Sequence, residues 1–340
     1  MLYFINDYSE GMAPEILDAM ASSNMSKQSG YGDDEFCISA KEKIKKEIGK
    51  DAEIFFVSGG TQANKIVIAS VLKNFEGVIA ADTGHIAVHE AGAIENTGHK
   101  VFTLKSKDGK IDAGGIKRFC ENFYADVNHE HMVYPGMVYI SQPTEYGTLY
   151  SKKELEEINK VCKEYELLLF ADGARLAYAL GSSECDTSLK SIAKLCDVFY
   201  IGGTKCGALL GEAIVFTNRN ICKHFFTNMK LFGGVLAKSR VMGIQFDVLF
   251  SDGLYERLGK TGVDAAMKIK SALIEKGYEL YLDSPTNQQF IVADDGEREK
   301  LSENVAFGFM ETLENGKHVI RFCTSWATAD EDVDKLIEIL

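Results

Sequence analysis

A lysine and an aspartate carry the first chemical signal. Lys205 follows the apolar run Val198-Phe199-Tyr200-Ile201 and the pair Gly202-Gly203, within the stretch DVFYIGGTKCGALLG. Such a run predicts a buried strand, and the glycines let the backbone approach a bound group closely. An amine in that setting can add to a carbonyl as a Schiff-base nucleophile, because loss of water helps keep it neutral. A surface lysine on a glycine-rich loop is the competing reading. Asp172 precedes Lys205 by 33 positions and follows the apolar run 167–171. A helix fits between the two. Two strands joined by a crossover would thus present an acid and a lysine at their C-terminal ends, where open parallel sheets bind ligands. Pyridoxal 5'-phosphate requires that pair: the amine takes its aldehyde, and the acid keeps its ring nitrogen protonated.

Two further segments could serve the same cofactor. Ser58-Gly59-Gly60-Thr61 follows a predicted strand and opens a predicted helix. Free backbone N–H groups and the helix dipole make such a turn an anion site, and Thr61 adds a hydroxyl. A tight turn that needs glycine only for its geometry is the alternative. His85 follows the strand-like run 77–81 and titrates close enough to neutrality to act as a general base. A loop histidine with a structural role is its alternative. His89 lies four residues on, but Glu90 stands outside the pair rather than inside it, so no metal site is expected. Cys206, beside Lys205, is read as local packing.

The elements that must position these residues alternate. Strands are predicted over 52–57, 77–81, 100–104, 137–141, 167–171, 198–201 and 212–217. Helices are predicted over 13–23, 36–48, 62–75, 88–97, 111–124, 152–165 and 221–229. This alternation predicts an α/β fold with a mostly parallel sheet covered by helices on both faces. A long helical stretch over 237–258 and 262–276 follows. Strands over 278–282, 289–292 and 319–324, with helices over 300–309 and 330–340, then read as a smaller C-terminal α+β domain. The division is an N-terminal arm (1–16), a large cofactor domain (17–247) and a small domain (248–340).

The 340 residues carry a net charge of −13, with no Lys/Arg cluster that would form a nucleic-acid-binding face. Eight cysteines without C-x-x-C spacing read as reduced thiols, and no basic leader or spanning apolar run is visible. A cytoplasmic protein with neither nucleic-acid nor membrane partners is expected.

Taken together, Asn6-Asp7, Tyr31-Gly32-Asp33-Asp34, Ser58-Gly59-Gly60-Thr61-Gln62-Ala63-Asn64, Gly84-His85, Asp172-Gly173-Ala174-Arg175-Leu176, Thr204-Lys205 and Arg321 span nearly the whole chain in order. The chain resembles the L-threonine aldolases (low-specificity or L-allo-threonine type), in the aspartate-aminotransferase-like, fold type I group of pyridoxal-phosphate enzymes. The resemblance implies retro-aldol cleavage of β-hydroxy-α-amino acids, with threonine giving glycine and acetaldehyde. It implies that Lys205 holds the cofactor, that Gly60 and Thr61 hold its phosphate, that His85 stacks on its ring, and that Asp172 meets the ring nitrogen. Arg175 would reach the cofactor or the substrate carboxylate, a structural ion pair being the alternative. Arg321 and Asn6 would hold the carboxylate, and Tyr31 would stand at the mouth of a neighbouring subunit's site. A homodimer or homotetramer with interfacial sites follows from the same resemblance.

Two departures mark a divergent branch. Val235-Leu236-Ala237-Lys238 lacks the arginine that relatives place near the phosphate, leaving Lys230 or Lys238 to supply charge. Gln142-Pro143-Thr144-Glu145 replaces the usual Glu-Asn-Thr-His. A pyridoxal-phosphate lyase that eliminates at Cβ of a tryptophan-, tyrosine- or cysteine-like substrate is the rival enzyme. A cofactor-binding protein without turnover is the rival of another class.

Overall fold

The computed structural model describes residues 1–221 and 223–340. Its strands are β1 (Leu2–Phe4), β2 (Glu53–Val57), β3 (Glu76–Ala81), β4 (Val101–Leu104), β5 (Tyr134–Ser141), β6 (Leu168–Asp172), β7 (Val198–Gly202), β8 (Glu212–Phe216), β9 (Glu279–Leu280), β10 (Gln288–Ala293), β11 (Val305–Thr312) and β12 (His318–Cys323). They form two sheets, a seven-stranded one in the order β2-β8-β7-β6-β5-β3-β4 and a five-stranded one in the order β1-β11-β12-β10-β9.

In the larger sheet β4, β3, β5, β6 and β7 run parallel, while β8 is antiparallel to both β7 and β2. The two reversals cancel, so β2 points the same way as β7. The C-terminal ends of β2, β3, β5, β6 and β7, and the N-terminal end of β8, therefore share one edge. This sheet is buried on both faces, which is why its strands read as nearly unbroken apolar runs. On one face Ile54, Ile79, Val138 and Phe199 pack with Ile16, Ile44, Leu155 and Phe246 from four helices. On the other, Val57, Val78, Tyr139 and Phe170 pack with Ile66 and Val67 of the helix Gly60–Val71, and with Phe225 and Met229.

The smaller sheet has its own core of Phe4, Ile269, Leu273, Ile291, Ile320, Phe322, Val333 and Leu336. The 22-residue helix Leu254–Glu275 ties the two parts together. Its Tyr255 hydroxyl donates to the carbonyl of Gly202 at 3.0 Å, while Ile269 and Leu273 lie in the small core.

The structure corrects several predicted segments. The start of the chain is not simply an arm: β1 pairs in parallel with β11, Leu2 opposite Val305, and so belongs to the small sheet. The helix expected over 88–97 is instead a single turn, His85–Val88, and a 3-10 turn, Glu95–Thr97. Ala91 and Gly92 between them take positive φ angles of 51° and 71°, which a right-handed helix excludes. The helix expected over 300–309 lies earlier, Asp295–Ser302, started by an Asp294–Glu297 capping box. Residues 305–312 join the sheet because both of their edges find partners. The helix expected over 221–229 is observed as Phe225–Leu231. The expected 237–258 and 262–276 pair is observed as Arg240–Leu249 and Leu254–Glu275. Seven cysteines are free thiols, and Cys222 lies outside the described residues. Cys206 is buried, with its sulfur 3.7 Å from the carbonyl of Tyr255.

Candidate active site

Asp172 is the last residue of β6, and Lys205 lies three positions beyond the end of β7. Two glycines let these strand ends meet. A Cβ on Gly173 would stand 2.0 Å from the carbonyl oxygen of Tyr200, and one on Gly202 would stand 2.4 Å from that of Ala174. The glycine after Asp172 is thus demanded by backbone contact between the acid-bearing and lysine-bearing loops. Tyr178 donates its hydroxyl proton to the carbonyl of Lys205, fixing the lysine-bearing turn.

Asp172 is buried and surrounded by donors. Tyr139 and Asn64 donate to Oδ2, the latter at 3.2 Å, and the Ala174 N–H donates to Oδ1 at 2.9 Å. Burial, reinforced by Asp172, pushes the Tyr139 phenol far above its ordinary range, so it stays a donor. Burial also pulls the Lys205 amine below the ordinary lysine range, and Arg175 adds to this, with Asp7, Asp172 and Glu212 in opposition. A neutral amine is the form that attacks a carbonyl.

Asp172, Lys205, His85, Gly60 and Thr61 all line one cavity of about 240 Å³. Gly60 and Thr61 open the helix Gly60–Val71 on Gly59, and no side chain caps its first turn. Those N–H groups are free for an anion. His85 follows β3, and its Nδ1 lies 2.8 Å from Glu90 Oε1, which also accepts from Asn64 at 2.7 Å. Burial disfavours the charged imidazole, but Glu90 and Asp172 outweigh it and raise the His85 pKa.

A larger cavity of about 560 Å³ adjoins the first and shares His85, Glu145, Arg175 and Lys205 with it. Arg321 lies on its wall. The Arg321 guanidinium donates from Nη1 to Gln288 at 2.8 Å and from Nη2 to the carbonyl of Ile5 at 3.0 Å, while its buried Nε has no partner. Arg175 grips Asp7 through Nε at 2.7 Å and Nη2 at 3.0 Å. Asn287 adds a third bond to Asp7 at 2.9 Å. Burial alone would raise the Asp7 pKa, but Arg175 and then Lys205 hold it down at about 2.

Two of the expected residues lie elsewhere. Asn6 lines neither cavity; its side-chain oxygen accepts from the Tyr8 N–H at 2.9 Å and the Ser9 hydroxyl at 3.1 Å, so it shapes the N-terminal turn. Tyr31, half exposed, lines a separate cavity, with Lys230 Nζ 5.1 Å above its ring. Conversely, sequence reasoning gave no role to Glu145, Glu212, Asp7, Asn64 or Tyr139. Glu212 starts β8, opposite both Val57 and Gly202, and accepts from Thr204 Oγ1 at 2.8 Å and the Gly203 N–H at 3.2 Å. Burial pushes it up to about 8, with the Thr204 hydroxyl and then Lys205 holding it back. Only its place opposite the glycine turn singles it out, and that requires the strand pairing.

The Beta-eliminating lyase family profile matches residues 4–307. A low-specificity L-threonine aldolase from Pseudomonas sp. is 31% identical over 336 residues, covering 98% of this chain and 95% of its own length. The structure of a Leishmania major threonine aldolase superposes with a TM-score of 0.96 at 42% identity, covering 100% of this chain and 98% of that one. Aspartate aminotransferase from Thermus thermophilus matches with a TM-score of 0.73 at 15% identity, covering 100% of this chain and 90% of that one, a likeness of fold alone. The chain belongs to the beta-eliminating lyases and, among them, to the threonine aldolases. It is a pyridoxal-phosphate-dependent lyase.

Proposed function

We propose that this chain cleaves β-hydroxy-α-amino acids by a retro-aldol reaction, with L-threonine or L-allo-threonine giving glycine and acetaldehyde. The carrying observation is that Asp172 and Lys205 line one cavity with an uncapped helix start at Gly60–Thr61. The residues present fit pyridoxal 5'-phosphate: an anion site, a carboxylate flanked by donors, and an amine whose protonation burial opposes. When bound, the cofactor supplies an electron sink for the bond broken at Cα.

Each side chain then has a task. Gly60 and Thr61 would hold the phosphate. Asp172, oriented by Tyr139, Asn64 and the Ala174 N–H, would accept a hydrogen bond from the ring nitrogen. Lys205 is the amine that would hold the cofactor covalently. His85, its orientation set by Glu90, would cover the ring. Arg321, on the wall of the outer cavity, takes the α-carboxylate. Arg175, committed to Asp7 by two bonds, supports the carboxylate end of the site.

The subunit arrangement we propose is a homodimer or homotetramer with sites at the interface. Support comes from Tyr31, which lies away from this protomer's own site, and from Phe226 and Leu231, exposed apolar residues nearby. A cytoplasmic location is proposed from the seven free thiols. No helix among the described residues is long and apolar enough to cross a membrane.

The test is reconstitution with pyridoxal 5'-phosphate. Wild type should gain a visible absorbance band and release glycine from L-threonine, and Lys205→Ala should lose both. Pyruvate and ammonia in place of glycine would move the assignment to the eliminating rival. An unchanged Lys205→Ala spectrum would remove the lysine's role.

A further inference from the structure

Cleavage between Cα and Cβ requires a group that takes the proton of the β-hydroxyl, and the titratable side chains lining the two cavities include Tyr8, His85, His89, Glu145 and Lys205. We propose that Glu145 is that base; the inference rests on the retro-aldol reading above.

Glu145 lies four residues beyond the end of β5, whose last residue, Ser141, is paired in register with Asp172. Its carboxylate lines both cavities, so it stands at their junction. A substrate bridging the two, with its amine toward Lys205 and its carboxylate toward Arg321, carries Cβ past that junction. One oxygen, Oε1, is fixed by the Ser141 hydroxyl at 2.7 Å and the His85 N–H at 2.9 Å. The other, Oε2, has no hydrogen-bond partner among the described residues and is not among the sealed, unpaired atoms of the interior. One oxygen is held and the other is free to meet a ligand.

The two histidines suit the task less well. His85 is tied at Nδ1 to Glu90, and its ring is the one assigned above to cover the cofactor. His89 is exposed and lines only the outer cavity. Burial raises the Glu145 pKa above the usual carboxylate range, restrained by the Ser141 hydroxyl and then by its own backbone N–H, with Asp172 adding to the rise and the His85 N–H opposing it. A carboxylate so placed is a stronger base than a solvated one.

The proton count closes. The substrate O–H bond breaks and its proton passes to Oε2. The electron pair of that bond becomes the carbonyl of the departing aldehyde. The Cα–Cβ pair stays with the glycine fragment, which gains one proton at Cα, and Glu145 gives its own proton up to regenerate the carboxylate.

Two assays on the reconstituted holoenzyme separate the roles. One is cleavage of L-threonine or L-allo-threonine. The other is exchange of the glycine α-proton with deuterated water, which uses the cofactor and Lys205 but no β-hydroxyl. Glu145→Gln should lower kcat/KM for cleavage by about 10²–10⁴-fold, the usual contribution of a general base, and leave glycine exchange near wild type. Equal losses in both assays, or no loss of cleavage, would overturn the proposal. So would a selective loss in His89→Gln with Glu145→Gln unimpaired. Should Glu145→Gln not fold, Glu145→Asp, which keeps a carboxylate, decides by the same comparison: cleavage impaired beyond exchange supports the role, and equal impairment removes it. A wild-type protein inactive in both assays would defeat the retro-aldol reading itself.

Discussion

Asp7 shows how a side chain given no role by the sequence can hold a site together. It is fully buried, forms two bonds with Arg175 and takes a third from Asn287. Removing one member of a buried ion pair leaves the other uncompensated, so Asp7→Asn should cost about 3–5 kcal/mol of stability at neutral pH. The pH dependence follows from the carboxyl's fall from 3.8 to about 2 on folding. A depressed acid stabilises the fold above its unfolded pKa and stops doing so as pH falls through the folded value. The difference between wild type and Asp7→Asn should be full above 3.8 and fade toward 2, as measured by urea unfolding at stepped pH. Lys205 and Asp172 were legible in the sequence because each ends an apolar run. Glu145 and Asp7 were not: a lone carboxylate in a polar segment has no spacing signal, and its neighbours come from strands that only the fold brings together. Asn6 drew attention in place of Asp7 for the same reason.

Among the elements, β6 and β7 matter most, since their ends deliver the acid and the lysine. Their approach allows no side chain at Gly173, where a Cβ would lie 2.0 Å from a backbone oxygen that cannot rotate away. Gly173→Ala should therefore destabilise the protein by at least about 3 kcal/mol, the upper range for overpacking, and weaken cofactor retention together with stability. Thermal unfolding with and without cofactor measures both. Most of the large sheet was legible, because parallel strands buried on both faces are continuous apolar runs. The misreadings fell where local pattern and tertiary context disagree. Residues 88–97 look helical until Ala91 and Gly92 turn left-handed, and residues 300–309 look helical until β1 and β12 offer pairing on both sides of their second half.

Across the whole molecule, the two ends of the sequence close on each other. Phe4 of β1 is buried in the small core beside residues from the last helix, and it lies three positions before Asp7. Phe4→Ala should cost about 3–5 kcal/mol, as for other buried phenylalanines, and should loosen the Asp7–Arg175 pair along with the small sheet. The measurement is urea unfolding alongside cofactor binding, and loss of stability with cofactor affinity intact would separate the two effects. The strands of the small sheet after the long helical stretch were readable from the change in pattern. The return of the first strand was not, because three residues are too short to carry a period.

That return sets a schedule for how the protein matures. Leu2 is made long before Val305, its partner in the sheet. Until then β1 has no strand to pair with, and Arg321 of β12 has not been made. A nascent chain stalled short of β11 would carry the acid and the lysine yet lack a finished pocket.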